Sequence, residues 1–264
     1  MSLISMAVFD TEENQKSELT YQTLYSLRRT VDLHKHRLFV IDNNSCRRTK
    51  EMLEVMSKER HHEFTVITLP ENIGTAEAVN LGWKHKLPGE NLIKMDNDVV
   101  IHSAGWVDEL DRAIERDKTI GIIGLKRKDL WENPFRNDEW HSDLKMLPHE
   151  TGEPWIIVEE VKHCIGTCQM YSAALIEKIG YLYQPGLYGF DDVLSSHRSQ
   201  IAGFYNCFLP HIEIEHIDQH ETPHWQWKRD EAEKKNVEQQ KIVWEYRKEK
   251  NPRSIYYNPY DTKN

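Results

Sequence analysis

Asp96, Asn97 and Asp98 close an apolar run, Leu92-Ile93-Lys94-Met95. On a strand, side chains two apart project to one side, and the carboxyl ends of strands are where an α/β sheet opens to ligand. Two carboxylates there offer the hard oxygen donors that Mg²⁺ or Mn²⁺ takes, and the cation would neutralise a diphosphate leaving group. A turn after a strand also favours Asp and Asn, so these residues alone leave both readings open. Further on, Asp191 and Asp192 adjoin where a helical pattern begins. Like-charge neighbours raise a carboxylate's pKa, which suits a general base taking a proton from an alcohol; the same pair also serves plain helix-dipole compensation. His216 ends the alternating run Pro210-His211-Ile212-Glu213-Ile214-Glu215-His216, on the face of Ile212 and Ile214. An imidazole there reads as a core histidine or as a nitrogen ligand. His163, Cys164 and Cys168 show no zinc-finger spacing, and no fourth ligand accompanies them.

Two segments upstream have the character of ligand loops. Asn72-Ile73-Gly74-Thr75-Ala76-Glu77-Ala78-Val79-Asn80-Leu81-Gly82 follows a strand pattern and opens a helix. Its small residues let backbone approach a ligand, and the helix N-terminus favours an anion, although a glycine-containing turn with small packing residues reads the same way. Asp42-Asn43-Asn44-Ser45 ends the second strand pattern, where a carboxylate can accept hydrogen bonds from a nucleobase or ribose.

These residues need a scaffold, and the spacing of apolar residues supplies one. Runs at 2–9, 37–41, 64–69, 91–95 and 119–125 are strand-length and branched, whereas Leu24, Leu27, Val31 and Val107, Leu110, Ile114 recur at helical spacing. Such alternation predicts a mostly parallel sheet flanked by helices. Residues 126–154 lack periodicity and read as a long loop, a lid that orders over bound ligand and brings Lys126 or Arg127 to it. Extended runs at 155–161 and 165–171, helices at 172–179 and 191–202, and a strand pair at 204–209 and 211–217 complete a core over residues 1–217. Residues 218–264 form a helical extension rich in aromatics, among them Trp225, Trp227, Trp244, Tyr246, Tyr256, Tyr257 and Tyr260. Those rings would pin the extension to the core or to a second subunit, or bind an acceptor.

Composition bounds the function classes. The 264 residues carry 34 basic and 43 acidic side chains, a net charge of −9, so no overall field draws the chain to nucleic acid or an anionic bilayer. With 39 % hydrophobic residues the chain can bury a core, yet no apolar run approaches a membrane span. Four cysteines without framework spacing point to a reducing compartment, the cytoplasm by default.

Taken in order over residues 2–217, these pieces resemble the family 2 type of glycosyltransferase with the GT-A fold. The resemblance implies a base-contacting acidic turn at Asp42, and a sugar-nucleotide stretch at Asn72, Gly74 and Asn80. It also implies a D-x-D motif at Asp96, Asn97 and Asp98 that holds a divalent metal and the diphosphate, with His216 completing the metal site. The acidic pair departs from the family's Glu-Asp; the register to Arg198 points to Asp192 as base, with Asp191 beside it. The first loop departs too, reading Val8-Phe9-Asp10-Thr11-Glu12. The implied activity is transfer, with inversion, of a sugar from a nucleoside diphosphate donor, a UDP-sugar first, to an acceptor hydroxyl that the sequence does not name. The rivals are a haloacid dehalogenase type phosphatase with Asp96 as nucleophile, a sugar-nucleotide pyrophosphorylase, which lacks its glycine-rich basic loop here, and a non-catalytic sugar binder on the same fold.

Overall fold

The computed structural model describes residues 1–12, 16–129, 143–149, 151–218 and 223–261. The first half alternates as the periodicity predicts: β1 (Ser2–Val8), α1 (Ser17–Thr30), β2 (Arg37–Asp42), α2 (Arg47–Glu59), β3 (Thr65–Thr68), α3 (Thr75–Trp83) and β4 (Asn91–Met95). Next come β5 (Val99–Ile101), α4 (Trp106–Arg116), β6 (Ile120–Arg127), β7 (Leu144–Met146), β8 (Ile157–Val161), β9 (Cys168–Tyr171) and α5 (Ala173–Ile179). The chain finishes with α6 (Asp191–Ile201), β10 (Tyr205–His216), α7 (Pro223–Lys248) and a 3-10 turn at Pro252–Ile255.

The ten strands among the described residues join one mixed, mostly parallel sheet in the order β3-β2-β1-β4-β9-β6-β10-β8-β7, with β5 paired to β10. β1 is buried on both faces. Ile4, Met6 and Val8 meet the layer that holds Leu24 and Leu27 of α1, Leu53 of α2 and Val107 and Leu110 of α4. Leu3 meets the opposite layer, with Val79 and Trp83 of α3 and Leu175 of α5.

Three sequence expectations change. The predicted strand pair at 204–217 is one strand, because Pro210 sits where the register with β6 jumps from Leu209↔Leu125 to Glu213↔Lys126. A bulge there needs no ladder hydrogen bond from the proline. The stretch read as a loop contains β7, the edge strand against β8, while its residues 130–142 and 150, with Trp131 and Trp140, lie outside the described residues. Lys126 is buried and holds both carboxylate oxygens of Glu159 at 2.7 and 2.8 Å, so it is a core ion pair rather than a lid residue.

Candidate active site

The carboxyl ends of β1 and β4 and the start of α6 enclose a cleft of about 590 Å³. The D-x-D residues are not strand residues, as β4 stops at Met95 and the Asp96 backbone N–H donates to the Thr167 carbonyl at 3.0 Å. They form a turn into β5, and β5 decides their geometry. Its antiparallel ladder with β10 sets His216 opposite Val99, and the Ile217 N–H donates to the Asp98 carbonyl at 2.8 Å. One end of the sheet thereby brings together residues more than a hundred positions apart. Ligand atoms of Asp98, His216 and Asp218 all lie within 4.8 Å of one another. Asp96 instead faces Lys94, whose Nζ is 3.3 Å from its Oδ1.

Two lysines complete this cluster. Lys16 Nζ is 3.3 Å from Asp98 and 2.7 Å from Asp218; Lys228 Nζ is 2.9 Å from Asp218 and 3.7 Å from Asp98. Burial works against the charged form of Asp98, but the hydrogen bond from His216 and the charges of Lys228, His216 and Lys16 outweigh it and hold the carboxyl far below its usual range. At Asp96 burial wins over Lys94, and the carboxyl is raised. Lys16 is placed by Asp10, whose Oδ1 accepts its backbone N–H at 2.7 Å and whose Oδ2 accepts the Thr49 hydroxyl. Asp10 thus ties the backbone at Lys16 to α2.

The acidic pair enters from the other wall. Gly189 and Phe190 both adopt positive φ, 86° and 66°, and α6 then begins at Asp191. A left-handed aromatic is strained, and here the strain points the first turn of α6 into the cleft. Asp191 pairs with Lys94 at 3.0 Å. Asp192 accepts from the N–H groups of Gly166 and Val193 at 2.9 and 2.8 Å and lies 3.2 Å from His163 Nε2. Burial resists ionisation of Asp192, yet the hydrogen bond and charge of His163, with Lys94 and Val193, bring it down to about 2. A Cβ on Gly166 would lie 2.8 Å from Lys94 Nζ and 3.1 Å from Asp192 Cβ, so only glycine lets these groups close up. Arg198, the register marker, turns away from the cleft: it is fully buried and donates to the carbonyls of Ile179, Tyr181 and Ile255.

The residues expected to meet the nucleotide divide. Asn72 and Asn43 border the cleft, and Asn43 Nδ2 donates to Asn72 Oδ1 at 2.8 Å and to the Gly74 carbonyl at 3.2 Å. Gly74 has φ +90° and touches the Leu187 backbone, where a Cβ would sit 3.1 Å from Cα. Asp42 is fully buried; one oxygen accepts the Ser45 N–H at 2.8 Å and the other has no hydrogen-bond partner among the described residues. Asn80 spends both ends of its amide on the Leu182 backbone, at 2.9 and 3.0 Å, and so fixes the 182–190 loop instead of reaching the cleft.

The sequence of residues 13–180 matches glycosyl transferase family 2. The chain belongs to this family. As a family 2 glycosyltransferase it is an enzyme with a GT-A fold, and the phosphatase reading of Asp96 falls away. No curated protein matches it in sequence. Similar solved structures include the mannosyltransferase PcManGT from Pyrobaculum calidifontis in complex with GDP-Man and Mn²⁺, at TM-score 0.64 and 16 % identity, covering 93 % of this chain and 68 % of that one. GalNAc-T7 with UDP, GalNAc and Mn²⁺ aligns at TM-score 0.61 and 16 % identity, over 84 % of this chain and 44 % of that one. S. aureus TarS 1-349 aligns at TM-score 0.59 and 16 % identity, over 93 % and 70 %. Identities this low carry the fold alone.

Among the residues that sequence reading missed are Asp218, Lys16 and Lys228 of this glycosyltransferase's cleft, and His163, which pairs with Asp192. Asp218 lies two residues beyond the end of β10, where period two no longer assigns a face. The lysines gave no local signal, for one precedes α1 and the other sits in a helix read as solvated. Among the aromatics of the extension, Trp225 and Trp227 line the cleft, Tyr246 packs on the core, Tyr260 rests edge-on against Tyr181, and Tyr257 donates to Glu77. Trp244 and Tyr256 stay exposed. No described helix is long and apolar enough to cross a membrane.

Proposed function

We propose that this enzyme transfers a sugar, with inversion, from a nucleoside diphosphate sugar to an acceptor hydroxyl, with Mn²⁺ or Mg²⁺ held by Asp98, His216 and Asp218. The observation that carries the reading is the meeting of that donor set and the acidic pair in one cleft. The donor set fits a divalent cation: a buried oxygen of Asp98, the His216 imidazole nitrogen 3.4 Å from it and a carboxylate oxygen of Asp218 converge on the same point. The described lining is otherwise nearly balanced, with Asp96, Asp98, Asp129, Asp191, Asp192 and Asp218 against Lys16, Lys94, Arg127, Lys228 and Arg229. A dianionic diphosphate needs further positive charge there, and a bound dication supplies it by neutralising the leaving group. The nitrogen ligand favours Mn²⁺ over Mg²⁺.

Inversion requires the acceptor oxygen to attack opposite the leaving diphosphate, so its proton goes to a carboxylate other than the cation's ligands. Asp192 fills that role, and Asp191, neutralised by Lys94, orients the acceptor. Asn43, Asn72 and the backbone at Gly74 border the space for the nucleoside. GDP-Man or UDP accompanies Mn²⁺ in the similar structures, which supports a nucleotide sugar, with a UDP-sugar tried first. Thermal-shift measurements with Mn²⁺ and a panel of nucleoside diphosphates test this, because a ligand that binds only the native state raises its stability by mass action. Donor hydrolysis, with a phosphomonoester as control, completes the test. A protein that neither nucleotide nor Mn²⁺ stabilises, and that hydrolyses no donor, would refute the reading.

A further inference from the structure

The carboxylates that would hold the cation already hold two ammonium groups. Lys16 and Lys228 each lie within 4 Å of both Asp98 and Asp218. A dication on the same oxygens cannot leave both lysines where they are, because like charges at that separation repel strongly in a site with little solvent. The two lysines differ in how firmly they are placed. Lys16 is 3 % exposed, and its backbone is fixed by Asp10. Lys228 projects from the first turns of α7 at the rim of the cleft, 16 % of its side chain exposed, with its ammonium 5.3 Å from the centre of the Tyr188 ring. Four rotatable bonds let that ammonium move several ångströms without moving the helix, whereas expulsion into bulk water would take it from every anion in the cleft.

We propose that Lys228 is a donor-binding residue that exchanges partners: it neutralises Asp98 and Asp218 in the cation-free enzyme and passes to the diphosphate oxygens once a divalent cation takes those carboxylates. The inference rests on the metal-dependent reading above and assigns a role to a residue outside the family's motifs. An ammonium is well suited to it, being a compact point charge on a flexible stem that can serve either anion. It follows that Lys228 acts on the two ligands with opposite sign. It competes with the cation when no nucleotide is present, and it assists the nucleotide when the cation is bound. Cation and nucleoside diphosphate are therefore coupled through this side chain, and the coupling is reciprocal.

The test uses the 264-residue chain with Lys228→Met. Mn²⁺ affinity without nucleotide is read from the electron paramagnetic resonance of the free ion, and UDP or GDP affinity at saturating Mn²⁺ by calorimetry. Lys228→Met should bind Mn²⁺ about tenfold more tightly than wild type and nucleotide about tenfold more weakly, in line with the loss of one charge-assisted hydrogen bond in each state. Lys228→Arg, which keeps the charge, should leave Mn²⁺ binding close to wild type and restore most of the nucleotide affinity. A merely structural Lys228 would weaken both ligands together in Lys228→Met, and that result, or unchanged Mn²⁺ affinity, overturns the proposal. If Lys228→Met does not fold, Lys228→Gln carries the same opposite-sign prediction. Wild-type enzyme that binds nucleotide but no Mn²⁺ would instead overturn the metal-dependent reading, and this proposal with it.

Discussion

Replacing Arg198 by methionine should detach the C-terminal turn from the catalytic core. The guanidinium is fully buried and donates from Nε to the Ile255 carbonyl at 2.9 Å, from Nη1 to Tyr181 at 2.8 Å, and from Nη2 to Ile179. No carboxylate pairs with it among the described residues, and burial pushes its pKa down to about 10, so it is still charged at neutral pH. A methionine of similar length keeps the packing and orphans the Tyr181 and Ile255 carbonyls, whereas the Ile179 carbonyl retains the Tyr257 N–H at 3.0 Å. Each buried acceptor without a donor costs about 1–3 kcal/mol, and relief of the charge's desolvation offsets part of that, so the net loss should be roughly 3 kcal/mol. The loss should concentrate where Ile255 and Tyr257 are held, by burial of Ile255 and by the Tyr181 N–H donating to the Tyr257 carbonyl at 2.7 Å. Urea melts followed by tryptophan fluorescence give the stability change, and limited proteolysis shows whether cleavage near 250–260 precedes global unfolding. Arg198→Met within about 0.5 kcal/mol of wild type, with no early cleavage, would refute the three-carbonyl clamp.

Three further outcomes follow from the cleft. Asp98→Ala should abolish Mn²⁺-dependent nucleotide binding while the circular dichroism spectrum stays native, and unchanged Mn²⁺-dependent turnover would remove Asp98 from the cation site. Asp192→Asn should keep nucleotide affinity and lose about 10²- to 10⁴-fold in kcat, with Asp191→Asn raising the KM for acceptor; the reverse pattern would exchange the two roles. His163→Leu should raise the Asp192 pKa from about 2 toward or beyond its ordinary 3.8. The base works deprotonated and activity falls as pH drops through its pKa, so the acid limb of kcat/KM should move up by at least about one pH unit; an unmoved limb would show that His163 does not govern Asp192.

Much of this was legible because the chain is locally consistent. Ile4, Met6 and Val8 alternate with residues facing the other layer, and Val107, Leu110 and Ile114 fall on one helical face, so the burial each demands coincides with the element each forms. The acidic pair could be assigned to a helix start for the same reason. The D-x-D geometry could not be read that way, because period two holds only while the strand continues, and β4 ends one residue before Asp96. β5 has three residues and owes its existence to β10, far away in the chain. Arg198 shows a different failure. Its spacing from Asp192 served as a register marker, and only the tertiary structure reveals that the side chain reaches backward to carbonyls of the C-terminal segment. Lys16 and Lys228 became site residues through packing alone.

The placement of β10 has a bearing on how the enzyme is made. Residues 205–216 lie inside the sheet, parallel to β6 on one side and antiparallel to β8 on the other. As the chain is synthesised, β1, β2, β3 and β4 can pair among themselves as soon as they emerge, since the neighbours each needs to form the row β3-β2-β1-β4 all precede β5. β6 can take β9 on one side but must wait for β10 on the other, where Ile120 pairs with Tyr205, and that edge is meanwhile unpaired and open to other chains. Asp98 waits with it, because His216 and Asp218 arrive only when that gap closes. A nascent chain arrested before residue 205 therefore carries the intact D-x-D sequence and no complete cation site, and it is the species with most to gain from a chaperone.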